Sequence, residues 1–544
     1  MPPALFEAAS ASDPSGLLRS DTISTLELLL AIAVVVVLVV TVARKLGLPY
    51  PIVLVVAGLA LGVAGFPEIE LEPELVLVVL LPPLLFSAAW QTPIRDFRAN
   101  RRPILLLSVG LVIFTTLVVG FGLNAALPSL PLAAAMTLGA IVAPPDAIAA
   151  TSILRRLTVP RRIITVLEGE SLVNDATALT AFRIGVGATV AGVTATFFLI
   201  DAFGQFAYAL AGGIAVGLAV GLAISWLWAR LFDPPVEILL SLLIPYAAYL
   251  AAERVHASGV IATVAAGLLI GRRSSRILSS DTRVLAGSVW QMLTFLFNGF
   301  AFLLLGLQLP LILGRLNAYP VEELVGLAVL VCGIVIVARF VWVFPTTYIP
   351  RWVSASLRAK DPIPPIGAVT VVAWAGMRGA VSLAAALSLP LDFPDRDLLL
   401  FLTFMVILAT LVGQGLTLPL LLRRLHLADD GSEEAERLMA RQASNEAALR
   451  QLERAMTRWP DHRPLIDNLA ERFRHRSEHL AEQADPATES DEERLEHLQI
   501  MREVLAAQRD AIIGLRDDGA INDEVLREVE RELDLEELRL EAEA

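Results

Sequence analysis

The stretch that decides the fold runs from Ile163 to Arg183 and reads IITVLEGESLVNDATALTAFR. Long apolar runs flank it, yet its middle carries Glu168, Glu170, Ser171, Asn174 and Asp175. A charge at bilayer depth costs several kcal/mol, so ionisable residues inside a span face a cavity and carry function. At ~1.5 Å per residue, Asp175 lies roughly 18 Å from Ile163, near the middle of a ~30 Å hydrocarbon core. Ser171, Asn174 and Asp175 stand at i, i+3 and i+4 and share one helix face. A hydroxyl, an amide and a carboxylate are hard oxygen ligands suited to a small cation. A polar network that merely glues helices is the weaker reading, because a buried carboxylate is a costly glue.

The rest of the chain supports a membrane setting. It is 56% hydrophobic, with a mean hydropathy of +0.65, which a water-soluble enzyme of this length does not reach. Its one cysteine, Cys332, excludes a disulfide framework and a cysteine metal site. No basic n-region opens the chain and residues 10–22 are mostly polar, so the first apolar run is expected to be a retained span.

Apolar runs predict thirteen spans, at about 25–44, 50–66, 73–91, 103–127, 131–153, 163–185, 203–231, 236–253, 258–271, 284–309, 321–346, 364–390 and 396–422. The stretch 186–202 reads both ways. The loops check this number. Basic clusters follow the odd spans, for example Arg95, Arg98, Arg101 and Arg102, then Arg155, Arg156, Arg161 and Arg162, and later Arg423 and Arg424. The opposite loops are acidic or neutral, as in Glu68, Glu70, Glu72 and Glu74, with only Arg254, Arg315 and Arg396 against the trend. A wrong number of spans would scramble this alternation. The positive-inside rule then places the N-terminus outside and the C-terminus in the cytoplasm.

Two spans are interrupted. The fifth contains Val142-Ala143-Pro144-Pro145-Asp146, where two prolines remove backbone donors and clash with the preceding turn. The twelfth contains Trp374-Ala375-Gly376-Met377-Arg378-Gly379, a weak helix holding a buried arginine. Their separation of seven spans predicts two inverted six-helix repeats, spans one to six and eight to thirteen. Paired broken helices in inverted repeats mark the binding site of a secondary transporter. The fold expected is an all-α polytopic membrane protein with crossed broken helices. A polar tail covers 1–24, the transmembrane domain 25–427, and a helical cytosolic C-terminal domain 428–544. That last segment holds 32 acidic residues against 16 arginines, which argues against contact with an anionic membrane surface. Its apolar residues recur at helical spacing, as in Leu449, Leu452 and Met456. Gly213, Gly217 and Gly221 in span seven form a small-residue stripe for close helix contact, within one protomer by the simplest reading.

These residues carry a resemblance. Gly169-Glu170-Ser171-Leu172-Val173-Asn174-Asp175 resembles the Asn-Asp signature of the first family of monovalent cation:proton antiporters, the sodium/proton exchangers. Ala143-Pro144-Pro145-Asp146 stands where that family has a Thr-Asp-Pro crossing, and 376–382 (GMRGAVS) is similar to its late arginine-bearing span. The stretches 245–253 (PYAAYLAAE) and 413–419 (GQGLTLP) are similar to bacterial members, and Ile521 to Leu540 belongs to the same resemblance. Any one motif is weak, while five in order are specific. Two departures bear on the ligands. Pro145 and Ala147 replace the family's threonine and proline, which leaves the Pro145 carbonyl in place of a hydroxyl. Leu85-Phe86-Ser87 stands where some members have a glutamate.

The resemblance implies a carrier, not an enzyme, that needs no cofactor and exchanges sodium or lithium for protons. Asp175, Asn174, Ser171, Asp146 and the Pro145 carbonyl would form the ion site, with Asp175 and Ser171 as ligands of the transported sodium. It implies a Glu170–Arg378 ion pair across spans six and twelve, and a homodimer in the lipid. Arg339, Arg183 and Glu253 are expected as network or rim residues, with Glu253 lining an entrance. Nucleic acid is not an expected partner. A channel would lack proton coupling. An intramembrane protease would need a paired-aspartate motif or a central histidine that the sequence lacks. A potassium/proton antiporter, or a carrier of another solute on the same fold, is the rival reading.

Overall fold

In the computed structural model the described residues are 14–66, 76–155, 159–191, 195–231, 233–316, 319–425, 427, 432–482, 490–518, 525–526, 529–530 and 532–537. The chain divides into two compact units, Met1–Asp429 and Asp430–Ala544.

The first unit is built of helices and their connections, with no strand among its described residues. Besides two six-residue helices, Ile94–Ala99 and Ala355–Lys360, it has α1 (Pro14–Lys45), α2 (Tyr50–Val63), α3 (76–91), α4 (Arg101–Ala126), α5 (Leu132–Val142), α6 (Ala147–Leu154), α7 (Arg161–Ala191), α8 (Ala195–Trp228), α9 (Pro234–Arg254), α10 (Gly259–Ile277), α11 (Ser280–Arg315), α12 (Val321–Val353), α13 (Ile366–Trp374), α14 (Ala380–Leu387) and α15 (Arg396–Leu425). Each of the thirteen expected spans is present as one helix or one broken pair. Among the described residues seven helical stretches are individually long and apolar enough to cross a bilayer, with two shorter apolar ones at Tyr50–Val63 and Val78–Gln91. The decisive helix α7 is not among the seven, since Glu168, Glu170, Asp175 and Arg183 lie along it. The ambiguous stretch resolves into the end of α7 and the start of α8. The first helix begins at Pro14, ahead of the expected start at 25, because extending an existing helix into polar sequence costs little. The acidic loop with Glu68, Glu70, Glu72 and Glu74 lies outside the described residues.

The breaks fall where the sequence puts them. The α5 helix stops before Pro144-Pro145, and Asp146 restarts α6 as its N-cap, accepting a hydrogen bond from the Ile148 N–H at 2.8 Å. The second break spans 375–379, between α13 and α14. The two interruptions meet, since the Asp146 N–H donates to the Met377 carbonyl at 2.6 Å. Gly379 is required here, because a Cβ would run into the Asp146 carboxylate. The first half of one broken span, α5, packs on the second half of the other, α14, so the pair cross antiparallel. The glycine stripe of α8 packs on α10, where a Cβ on Gly217 would strike the Ala262 backbone. It is therefore contact within one protomer.

The second unit holds α16 (Ser432–Arg458), α17 (Arg463–Glu482) and α18 (Ser490–Asp517). Ile466, Ala470 and Leu505 are buried there, and the buried Asn445 amide donates to the Phe473 carbonyl at 3.1 Å and to Ser477 Oγ at 3.0 Å. Much of 521–540, which shares the family resemblance, lies outside the described residues. In the part described, Arg509 bridges Asp534 at 2.6 Å and Glu537 at 2.9 Å.

Candidate ion-binding site

The site is built where α7 passes the two breaks. Asn174 is fully buried and its Nδ2 donates to the Pro145 carbonyl at 2.8 Å. Ser171 Oγ accepts from the Ala147 N–H at 3.3 Å. Both polar residues thus bind the backbone that the prolines freed, which explains why broken helix and polar helix coexist. The Asn174 Oδ1 is buried without a partner among the described residues. Asp175, one residue on, is 7% exposed, and no donor among the described residues reaches its carboxylate. Asp146 is close enough for the two charges to repel. Ser171, Asn174, Asp175, Asp146 and the Pro145 carbonyl are therefore gathered in one place.

The charged residues of the crossing are matched to helix ends. Asp146 sits at the N-terminus of α6 and against Gly379, at the start of α14. Arg378 does the opposite. Its Nε donates to the Val142 carbonyl at 3.0 Å, at the end of α5, and its Nη1 donates to the Gly376 carbonyl, just past α13. Anions suit helix N-termini and cations suit C-termini, so each of these charges offsets two half-helix dipoles. The Arg378 N–H also donates to Thr410 Oγ1 at 3.1 Å. Thr410 lies in a π-helical turn, 409–414, inside α15.

The expected Glu170–Arg378 pair is corrected. Glu170 is held by Arg339, with Nη1 to Oε1 at 2.6 Å and Nη2 to Oε2 at 2.8 Å, and both side chains are 1% exposed. Arg339 also gives Nε and Nη2 to the Val372 carbonyl at 3.1 and 3.0 Å, which ties α12 to α13. The physical reason is that the Arg378 guanidinium, although within electrostatic reach of Glu170, spends its donors on helix-end carbonyls, while Arg339 takes the carboxylate face on. A planar guanidinium fork matches a carboxylate in this two-bond geometry. One signal pointed to Arg339: a lone arginine in the middle of an apolar span needs a partner. Thr410 and the nearly fully buried Gln414, whose amide finds no partner among the described residues, carried no such signal.

Nearer the acidic side, Arg183 bridges Glu253 at 2.9 Å and Glu253 also accepts from the Gly259 N–H at 3.4 Å. Towards the basic side, Arg155 bridges Glu168 at 2.7 Å. Both pairs are partly exposed, as rim residues are.

Crossed half-helices around an uncompensated buried carboxylate define an ion carrier of the secondary-transporter class. The family model described as sodium/hydrogen exchanger, transmembrane, matches residues 30–424. An uncharacterised Na(+)/H(+) exchanger of Mycobacterium bovis is 36% identical over 90% of this chain and 91% of its own. A sodium, potassium, lithium and rubidium/H(+) antiporter of Bacillus pumilus is 34% identical over 68% of this chain and 57% of its own. The solved sodium proton antiporter MjNhaP1 of Methanocaldococcus jannaschii superposes with a TM-score of 0.59 at 20% identity, covering 74% of this chain and 99% of that one. The chain belongs to the sodium/hydrogen exchanger family.

Proposed function

We propose that this protein exchanges sodium or lithium for protons, one for one, at the single carboxylate of Asp175. One observation carries the reading. Glu170 has Arg339, Asp146 and Arg378 have helix ends, and Asp175 has no positive partner among the described residues. An isolated carboxylate in a dry site is costly to ionise, and binding either a proton or a small cation removes that cost. The two therefore compete for one place. The loaded site crosses the low-dielectric barrier when one bundle rocks past the other, and the empty charged site does not. Ser171 and Asn174 Oδ1 supply neutral oxygen to the cation, as does the second lone pair of the Pro145 carbonyl. No covalent bond is made, so the cycle uses no catalytic residue and no cofactor.

Electroneutrality follows from the same accounting. Asn174 takes up no proton near neutral pH, and in this reading Asp146 stays engaged with the Ile148 N–H as the cap of α6 throughout the cycle. Proteoliposomes loaded with a pH dye and clamped with valinomycin test it. Cation-driven proton flux is expected to be indifferent to the clamped potential; flux that scales with potential overturns the one-for-one exchange. The variant Asn174→Asp is expected to become potential-sensitive. In this reading the protein is a homodimer in the bacterial plasma membrane, with the N-terminus outside and the acidic tail in the cytoplasm as a regulatory segment. A potassium/proton antiporter is the second reading, supported by the Bacillus relative whose printed substrates include potassium. Adding sodium, lithium or potassium in turn to acid-loaded vesicles separates the two.

A further inference from the structure

One seam of the first unit carries features that the ion site does not use. Helices α4 and α12 run side by side, and their middle opens into an apolar groove of about 470 Å³. Phe114 and Val118 line it from α4, and Gly333, Ile334, Val337 and Val341 line it from α12. Gly333 deepens it: a Cβ placed there meets nothing within 4 Å, although glycine within a helix costs about 1 kcal/mol relative to alanine.

The same seam ends among arginines. Asp361 is shared by Arg162 at 2.7 Å and Arg351 at 2.5 Å, so one carboxylate serves two guanidinium groups. Arg102, in the first turn of α4, is a third cation close to Arg351. It is half-buried, and its inner Nη1 has no acceptor among the described residues. Among the described residues this leaves a surplus of positive charge here and one guanidinium without an anion. Arg102, Leu106, Gly110, Phe114 and Val118 follow one another at four-residue spacing, and the π-helical turn Leu106–Leu111 unwinds α4 enough to limit the drift of that row around the helix. Trp342 of α12 joins its parts, with Nε1 donating to the Leu106 carbonyl at 2.9 Å and its ring 5.1 Å from that of Phe114, so cation and groove lie along one seam. Phe114 lies roughly 18 Å along the helix from Arg102. That matches the ~20 Å from the headgroups to the midplane of a bilayer.

We propose that this seam binds one anionic phospholipid, its phosphate on the exposed edge of Arg102 within the field of Arg162 and Arg351, and one acyl chain in the groove at Gly333. Charge complementarity selects the occupant. A second copy of the chain would bring its own arginines to the same end, and a zwitterionic lipid would add no net negative charge. The seated chain packs on Val337 and Val341, beside Arg339, so occupancy braces the helix that holds Glu170.

The test uses the full chain, delipidated in a non-ionic detergent, with its melting temperature followed as lipid is added. Phosphatidylglycerol is expected to raise the melting temperature saturably, whereas phosphatidylcholine does not. Arg102→Gln is expected to weaken the apparent affinity about tenfold, the value of one charge-assisted hydrogen bond. Gly333→Leu is expected to fold, since its side chain enters open space, and to lose the response by filling the groove. Arg272→Gln, an exposed arginine elsewhere, is the control and is expected to respond as the parent does. Loss of response in Arg272→Gln equal to that in Arg102→Gln reduces the effect to diffuse charge and overturns the proposal. So does an unaltered response in Gly333→Leu, which stands even if Arg102→Gln fails to fold. Glycerol phosphate reproducing the shift would make the ligand a free phosphate and overturn the lipid assignment, as would the absence of any shift in the parent.

Discussion

Glu170 and Asp175 sit five residues apart on α7, both deeply buried, and the protein treats them in opposite ways. Glu170 is gripped by both arms of Arg339. Asp175 is given a second carboxylate, Asp146, within reach of its charge, and no cation among the described residues. The first arrangement fixes a charge and the second keeps one available. A membrane protein can use the same chemical group as fastening or as cargo site, and the partner decides which.

The largest expected effect breaks the cargo side. Asp175→Asn should reduce cation-dependent proton flux in proteoliposomes to the leak level and leave the melting temperature unchanged or higher, since a lone buried charge is removed. Retained exchange would move the carrier role elsewhere.

Next comes the fastening side. Arg339→Ala strands a buried carboxylate and is expected to cost about 3–5 kcal/mol, read as a large fall in melting temperature and yield. Adding Glu170→Gln removes the stranded charge and should recover part of that loss in a double-mutant cycle. Strict additivity would show that the two do not interact.

A smaller loss is expected from Arg378→Ala, about 1–3 kcal/mol, because it strips donors from the Val142 and Gly376 carbonyls instead of stranding a charge. Glu170→Gln should not rescue it. Rescue would restore the pairing that the sequence resemblance implies.

The smallest effect is assigned to Thr410→Val, which removes the acceptor of the Arg378 N–H and should cost about 1 kcal/mol with exchange retained.

The sequence carried a great deal of this in particular places. Pro144-Pro145 and Gly376 marked both breaks, because backbone chemistry acts locally. The spacing of Ser171, Asn174 and Asp175 marked the ligand face for the same reason. The partner of Glu170 was not legible. Arg339 stands 169 positions away, and two arginines competed for one glutamate. Choosing between them needs the direction of each guanidinium, which depends on how α12 and the second break are packed. The π-helical turn around Thr410 was equally silent, since the residues of 409–414 fit an α-helical turn as well as a π-helical one.

The bond from Asn174 to the Pro145 carbonyl has a consequence for selectivity. A binding site distinguishes ions of different radius only to the extent that it resists deformation, because a soft cage shrinks or swells to suit whatever enters. Here the loop that offers a carbonyl is stapled to the helix that offers the carboxylate, and Ser171 adds a second staple at Ala147. In the proposed site the spacing of carbonyl and carboxylate is thus set by these hydrogen bonds and by the geometry of α7 rather than by the guest. Loosening the staple with Asn174→Ala should therefore flatten the ratio of sodium to potassium rates more than it lowers either rate, making stiffness a measurable property of the site.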